Sequence, residues 1–454
     1  MNEEFKYQGI WWISNQPDKR IPGILTFIPE EGAILDLMGS FRDSPDLENI
    51  QKIEIIHGLT STGVTITLYK CEERTFQIHS PGFLISSYNV NFVFINIHFS
   101  KSEDIKFKKV YVHFSHLDEW VSISGIDIDF NPENREVNIN FRVPDPITVP
   151  VGENYKILIK FEPNFPSLFP VQNEACVKQK AFIGIEFIGE QHFAEYKKMI
   201  YLLQIFLTLG VSEPVYPLKI RGFIESSSQP IEICYQTLYR RSVKKLHPLQ
   251  MLFSYIDIFE KFPIYIKNWF NKANLLSPVY NLYFGVVYNP NMYLEHSFLN
   301  LVQAIEAYHR RIMENYELPE EEHRNRINKI LENTPEEYKK WLQEKLAYSN
   351  EPSLRKRLKY ILGKYSNIIG FLNDKKSFIH KVVTTRNYLI HYDKNLEKES
   401  LRGIELLKTT QILKTLLEIC LLDEIGLETD KIKNLIERKQ ISWIFDSNEN
   451  KYLA

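Results

Sequence analysis

A chain of 454 residues is long enough for two or three domains, each with its own core. Its 44% hydrophobic and 25% charged residues are ordinary for a soluble globular protein and exclude wholesale disorder. A formal charge of −2 excludes a protein that coats nucleic acid through bulk electrostatics, while leaving room for a local basic patch.

The first residues, MNEEFKYQGIWW, are acidic where a secretory signal is basic, and no long apolar stretch follows. From there to about residue 190 the chain reads as strands. GILTFI, AILDLMG, KIEIIHG, VTITLYK, RTFQIHS, VNFVFINIHF, VYVHFSH, VSISGIDIDF, REVNINFRV, YKILIKFEP and FIGIEFIG alternate apolar with polar residues or run β-branched. Turn segments such as PEEG, NPEN and PVGEN separate them, the pattern of an antiparallel sandwich or barrel. Trp11 and Trp12 are expected to pack that domain's core, with a recognition surface there as the alternative. QHFAEYKKMIYLLQIFLTLG follows as a helix, and YPLKIRGFIE as one more strand. The apolar run from Met199 to Gly210 is too short to span a bilayer and contains Gln204, so it predicts a buried helix and no membrane partner.

From about residue 245 the pattern changes to helical spacing. MLFSYIDIFEKF, NMYLEHSFLNLVQAIEAYHRRIMEN, PEEYKKWLQEKLAY, SLRKRLKYILGKY, FIHKVVTTRNYLIHYD and LRGIELLKTTQILKTLLEICLLDEIG all predict helices. Thr334 is expected to cap one of them, with Pro335 in its first turn. The expected fold is α+β in two domains: a β-rich sandwich or barrel-like domain over residues 1–240 and an all-α bundle over 245–454. The four cysteines (Cys71, Cys176, Cys234, Cys420) are far apart, without C-x-x-C spacing. They predict no disulfide framework and no zinc site, and fit a reducing cytoplasm.

Charge is uneven in the helical half. Between Arg355 and Lys381 stand eight Lys or Arg (355, 356, 357, 359, 364, 375, 376, 381) against a single acid, Asp374. A solvated basic face is the plain reading, and an approach that attracts phosphate is its rival. The run leads into FIHKVVTTRNYLIHYD, where Phe378, Ile379, Val382, Val383, Leu389 and Ile390 form an apolar stripe. Three or four residues on from Val382 and Val383 the stripe meets Arg386 and Asn387, a guanidinium and an amide on an inward edge.

Arg386 and His391 are spaced R-x-x-x-x-H. An Arg followed four to six residues later by His is expected about once by chance in a chain of this length. RTFQIH (Arg74 to His79) and RSVKKLH (Arg241 to His247) are such matches. The first alternates as a strand, sending its two side chains to opposite faces, and the second is polar and stops at Pro248. The third match differs: Asn387 follows Arg386 directly, the segment is helical near its end, and the polar residues break an apolar stripe. Asn387 and His391 are i, i+4 neighbours, and Arg386 lies about 140° from His391 around the helix. The plain alternative pairs Arg386 with an acid and leaves His391 at the helix C-terminus, where a cation is favoured.

TTRNYLIH resembles the R-N-x-x-x-H signature of HEPN-domain ribonucleases, and FLNLVQAIEAYHRR resembles an earlier helix of that bundle. GIWW…PGILTF…LMGSF together with the C-terminal half resembles the ApeA-like bacterial anti-phage proteins. The likeness covers most of the chain and is least specific between residues 60 and 230. It implies a HEPN bundle that cleaves RNA without metal or other cofactor, leaving a 2′,3′-cyclic phosphate, in abortive anti-phage defence. It also implies a homo-oligomer, and a β-rich domain that senses a trigger or regulates; a phage-derived trigger protein, a nucleic acid or a self-inhibitory contact would each fit that domain.

Residue chemistry agrees with that implication: imidazole moves protons near neutral pH, and an Arg fork neutralises phosphoryl oxygens. Arg386 is assigned to phosphate, His391 to acid–base work or 2′-hydroxyl positioning, and Asn387 to orientation. Glu306, with His309 three residues on, is a further candidate to orient Arg386, although core or surface pairing would also account for both. A metal site is not expected: His380 and His391 share a face but lie about 16 Å apart along the helix. The rival function is a catalytically silent HEPN dimerisation or binding module. An enzyme within the β half is disfavoured, since no Gly-rich phosphate loop or metal-spaced cluster is found there.

Overall fold

The computed structural model describes residues 4–42, 49–79, 81–165, 176–237, 245–370, 372 and 374–449. Six antiparallel strands come first: β1 (Phe5–Ile13), β2 (Ile21–Ile28), β3 (Gly32–Leu37), β4 (Lys52–Thr60), β5 (Thr65–Ile78) and β6 (Leu84–Ile95). They pair in the order β6-β3-β2-β1-β4-β5, and β5 pairs again with β6, so the sheet closes into a barrel. Period-two alternation fills it: Ile21, Leu25 and Phe27 of β2 point inward and are buried. Trp11 is fully buried at its centre and lies opposite Gly58 of β4. A methyl on Gly58 would sit 2.1 Å from the indole, so the glycine makes room for the ring. Trp12 points to the other side, edge-on to His57 and His98.

VTITLYK and RTFQIHS, expected as two strands, belong to the single strand β5. The apparent break is local. Lys70 adopts φ 55°, and the register with β6 shifts between Glu73 and Thr75, yet pairing resumes beyond.

β7 (Lys106–Phe114) begins a second sheet, and β8 (Ile126–Asn131) with β9 (Glu136–Phe141) forms a separate hairpin. β10 (Ile147–Pro150), β11 (Tyr155–Asn164), β12 (Lys178–His192), β13 (Pro217–Phe223) and β14 (Ile231–Tyr235) complete the order β10-β11-β12-β7-β13-β14. β6 joins the two sheets: Ser86–Val90 pair with β3, and Phe92–Ile95 pair with β14. One face is covered by the short helix α1 (Leu117–Val121) and by α2 (Phe193–Val211), the expected buried helix. The hydroxyl of Tyr196 anchors α2 by donating to the Phe107 carbonyl at 2.9 Å.

The remaining helices are α3 (Tyr255–Ile258), α4 (Phe262–Asn271), α5 (Ala273–Val287), α6 (Leu294–Ile312), α7 (Glu320–Glu332), α8 (Glu336–Leu346), α9 (Leu354–Lys364), α10 (Lys375–His391), α11 (Gly403–Ile425) and α12 (Thr429–Glu449). α6 is the hub, touching α5, α9, α10 and α11. Its buried positions Phe298, Leu301, Val302, Ile305 and Tyr308 follow helical spacing. α7 and α8 bury none of their residues and pair with each other. Thr334 does not cap α8 as expected: its hydroxyl donates back to the Ile330 carbonyl of α7, which turns the oxygen away from the α8 amides.

The chain forms two compact units, residues 1–211 with 215–263 and residues 212–214 with 264–454, and the boundary falls inside α4. The protein is thus α+β, with a β-rich N-terminal domain and a helical C-terminal one. Among the described residues no helix is long and apolar enough to cross a membrane.

Candidate active site

α10 begins at Asp374, whose carboxylate accepts from the Ser377 amide at 2.9 Å, satisfying one of the free donors of the first turn. Phe378, Ile379 and Val382 are buried as expected. Beyond them the expected stripe is rotated: Thr384 and Thr385 are buried, Leu389 is half-buried and Ile390 is exposed. The Thr385 hydroxyl accepts from the Leu401 amide at 2.9 Å, so a polar residue is satisfied inside and fixes the turn that follows the helix. Arg386 and Asn387 come next in sequence and sit half-buried on the edge of this face.

There Arg386 meets Glu306. Its Nη2 stands 3.6 Å from a Glu306 carboxylate oxygen, and its Nη1 donates to Asn387 Oδ1 at 3.2 Å. Glu306 immediately follows Ile305 on the buried stripe of α6, which places it on the helix edge toward α10. The fold thus brings Arg386, Asn387 and Glu306 together.

His391 is the last residue of α10 and is exposed. No hydrogen bond or ion pair joins its ring to another described residue. Tyr392 ends the helix in the left-handed region at φ 50°, and its amide donates to the Tyr388 carbonyl. A tyrosine rarely adopts that conformation, and here it turns the chain directly after His391. Arg402 approaches the same end, with its guanidinium 5.8 Å from the Tyr388 ring centre and 2.9 Å from Glu397.

His309 takes no part in this set. It is buried on the α6 stripe, stacked on Tyr360, and its Nδ1 accepts from Arg357 Nη1 at 3.1 Å. Because Arg only donates, Nδ1 carries no proton. Burial, reinforced by the Arg357 charge, lowers its pKa to about 4. Arg357 is itself buried and bonded to Glu351, and the Glu306 charge also acts on it. Glu306 therefore lies in the field of two arginines, one buried and one at the surface.

Arg357 was missed as part of this network because it stands in the basic run. Its position was the usable signal: it lies between Leu354 and Ile361 at helical spacing, among the buried residues of α9. Lys364 and Lys356 are also engaged, with Asp423 at 2.7 Å and Glu317 at 2.5 Å. Arg355, Lys359, Lys375, Lys376 and Lys381 make no ion pair among the described residues, so the basic approach to α10 is five side chains rather than eight. His380 lies 3.4 Å from Glu399. Among the described residues no three His, Cys, Asp or Glu side chains converge as metal ligands. Of the decoy pairs, Arg74 lies on β5 and His79 just beyond it; Arg241 lies outside the described residues.

A β-rich unit followed by a helical bundle, with an Arg–Asn–Glu set on facing helices, defines a class that comparison with known proteins makes specific. The pattern for ApeA N-terminal domain 1 matches residues 6–269, and that for the Apea-like HEPN domain matches residues 299–431. The chain belongs to the ApeA family, and its helical half carries the HEPN domain. The HEPN match runs from within α6 to the first turn of α12 and includes Glu306, Arg386, Asn387 and His391. No match was found among curated proteins or among solved structures.

Proposed function

We propose that this protein is a metal-independent endoribonuclease of anti-phage defence, with its active site on the outer end of α10. The observation that carries the reading is the pairing of Arg386 with Glu306 at 3.6 Å, with both side chains about 30% exposed. A contact so long and so wet is worth on the order of 1 kcal/mol or less, so a phosphate can take the place of the carboxylate. The planar fork then holds two phosphoryl oxygens and neutralises the charge that develops at phosphorus. Asn387 keeps the guanidinium in plane, and Glu306 returns it to position between turnovers. His391, open to solvent and within a turn of Asn387, moves the proton of the attacking 2′-hydroxyl or of the leaving 5′-oxygen. The products are a 2′,3′-cyclic phosphate and a 5′-hydroxyl. The β-rich domain senses the trigger, and the bundle is held inactive until then.

The test is RNA cleavage by activated protein in excess EDTA, with the ends identified chemically. Undiminished cleavage with cyclic-phosphate ends, lost in His391→Ala, is expected. Loss in EDTA with rescue by magnesium or manganese would discard the chemistry.

The same ion pair favours a second reading, a silent HEPN module in which Glu306 simply occupies Arg386. Growth arrest or RNA degradation on expressing the wild type, but not His391→Ala, separates the two.

A further inference from the structure

The β-rich unit contains a cavity of about 610 Å³ that the ribonuclease reading does not use. Its size is that of a small-molecule site. Phe5 and Tyr7 line it from β1, where they alternate with Trp11 on the inward face, so the cavity opens at one end of the barrel. The opposite wall is the face of the second sheet turned away from α2. It presents Lys178 and Lys180 from β12, and Lys219 and Arg221 from β13.

Those cations are not equivalent. Arg221 pairs with Glu162 at 2.6 Å, and Lys219 with Glu232 at 3.6 Å, which uses two of the three carboxylates in the lining. The Arg221 guanidinium also lies over the Phe182 ring, 5.0 Å from its centre. Lys178 and Lys180 are exposed and form no ion pair among the described residues. The site therefore has an aromatic end on the barrel side, a guanidinium paired with Glu162, and two exposed lysines on β12 without an ion pair among the described residues, of which Lys180 also acts on Asp118.

We propose that this cavity binds a mononucleotide, with the base against Tyr7 and Phe5 and the phosphates at Lys178 and Lys180. A planar ring joined to several negative charges is the ligand chemistry that uses both walls. Simple anions would leave the aromatic end unused, and an uncharged ring would leave the lysines unpaired. The inference does not rest on the ribonuclease assignment, because none of these residues belongs to the Arg386 set.

Titration calorimetry on the full chain tests it, with the four ribonucleoside triphosphates, their nucleosides, inorganic triphosphate and a short single-stranded DNA as probes. Saturable binding of at least one nucleotide is expected, at least about tenfold tighter than its nucleoside or inorganic triphosphate alone. The double variant Lys178→Glu/Lys180→Glu should weaken it by about tenfold or more. Both lysines are exposed, so the melting temperature without nucleotide should stay at the wild-type value. Three results would overturn the proposal: no nucleotide binds, the double variant binds as tightly as wild type, or only the oligonucleotide binds.

Discussion

Arg386 sits where the distinction between a structural and a functional arginine can be measured. Its contact with Glu306 is long and partly exposed, so Arg386→Ala should change fold stability by about 1 kcal/mol or less. If the guanidinium stabilises a phosphoryl transition state, the same change should slow RNA cleavage by at least about a hundredfold. A thermal melt and a cleavage assay on one purified variant report both. A melt far below wild type, with normal specific activity in the folded fraction, would remove Arg386 from the active site. His309 makes the complementary case. Its pKa in the folded chain is about 4, below the ordinary 6.5, so the unfolded chain binds the extra proton between those values. Stability is therefore complete above about pH 6.5 and falls as pH drops toward 4, by up to about 3 kcal/mol. His309→Gln, which keeps an acceptor for Arg357, should flatten that part of the urea-stability profile; an unchanged slope would assign the acid sensitivity to other groups. The two residues were unequally legible in sequence. Arg386 and Asn387 stood out because they break an apolar stripe, whereas Arg357, the partner that fixes His309, was hidden among other basic residues.

Three helices of the bundle are tied together by a charge that water does not reach. Glu418 of α11 is fully buried, accepts two bonds from Lys439 of α12 at 2.7 Å, and accepts the Tyr283 hydroxyl of α5 at 2.9 Å. Burial pushes the carboxyl up, but Lys439 and Lys414 together outweigh it and hold it below its ordinary range. Lys439→Met would leave that carboxylate without its main partner, at a cost of about 3–5 kcal/mol. Adding Glu418→Leu to that variant should recover much of the loss. A double variant no more stable than Lys439→Met would show that the pairing is not what holds α12. At this scale the sequence was readable where an element is long and periodic, as in α2, α6 and α11. It was not readable in β10 and β14, strands of four and five residues, the second of which pairs with β6 far back along the chain. Helix α5 escaped because Pro278 lies inside it. Helix α7 escaped although Ile327, Ile330 and Leu331 are at helical spacing, whereas α8, which likewise buries nothing, showed a start signal at Thr334 and Pro335. The Thr334 cap failed for a local reason, since its hydroxyl had a nearer acceptor in the preceding helix.

At the scale of the whole molecule, the candidate site is sparse. One chain supplies one Arg386, already touching a carboxylate, and one His391 at the exposed end of α10. A phosphodiester undergoing attack needs charge neutralised and two protons moved, which is more than a single Arg and a single His readily provide. A two-fold contact between HEPN domains would place both copies of α10 at one cleft, with each side supplying the same residues. Such a contact would also explain why Arg386 and Asn387 stand half-buried on the edge of the buried face of α10. The expectation is that the active form is a dimer or larger, and that activity per chain falls on dilution through the dissociation range. Light scattering at the working concentration gives the mass, and cleavage rates over a dilution series give the order in protein. A monomer in the active state, with specific activity independent of concentration, would show that one copy of α10 suffices and would return the burden of catalysis to residues within a single bundle.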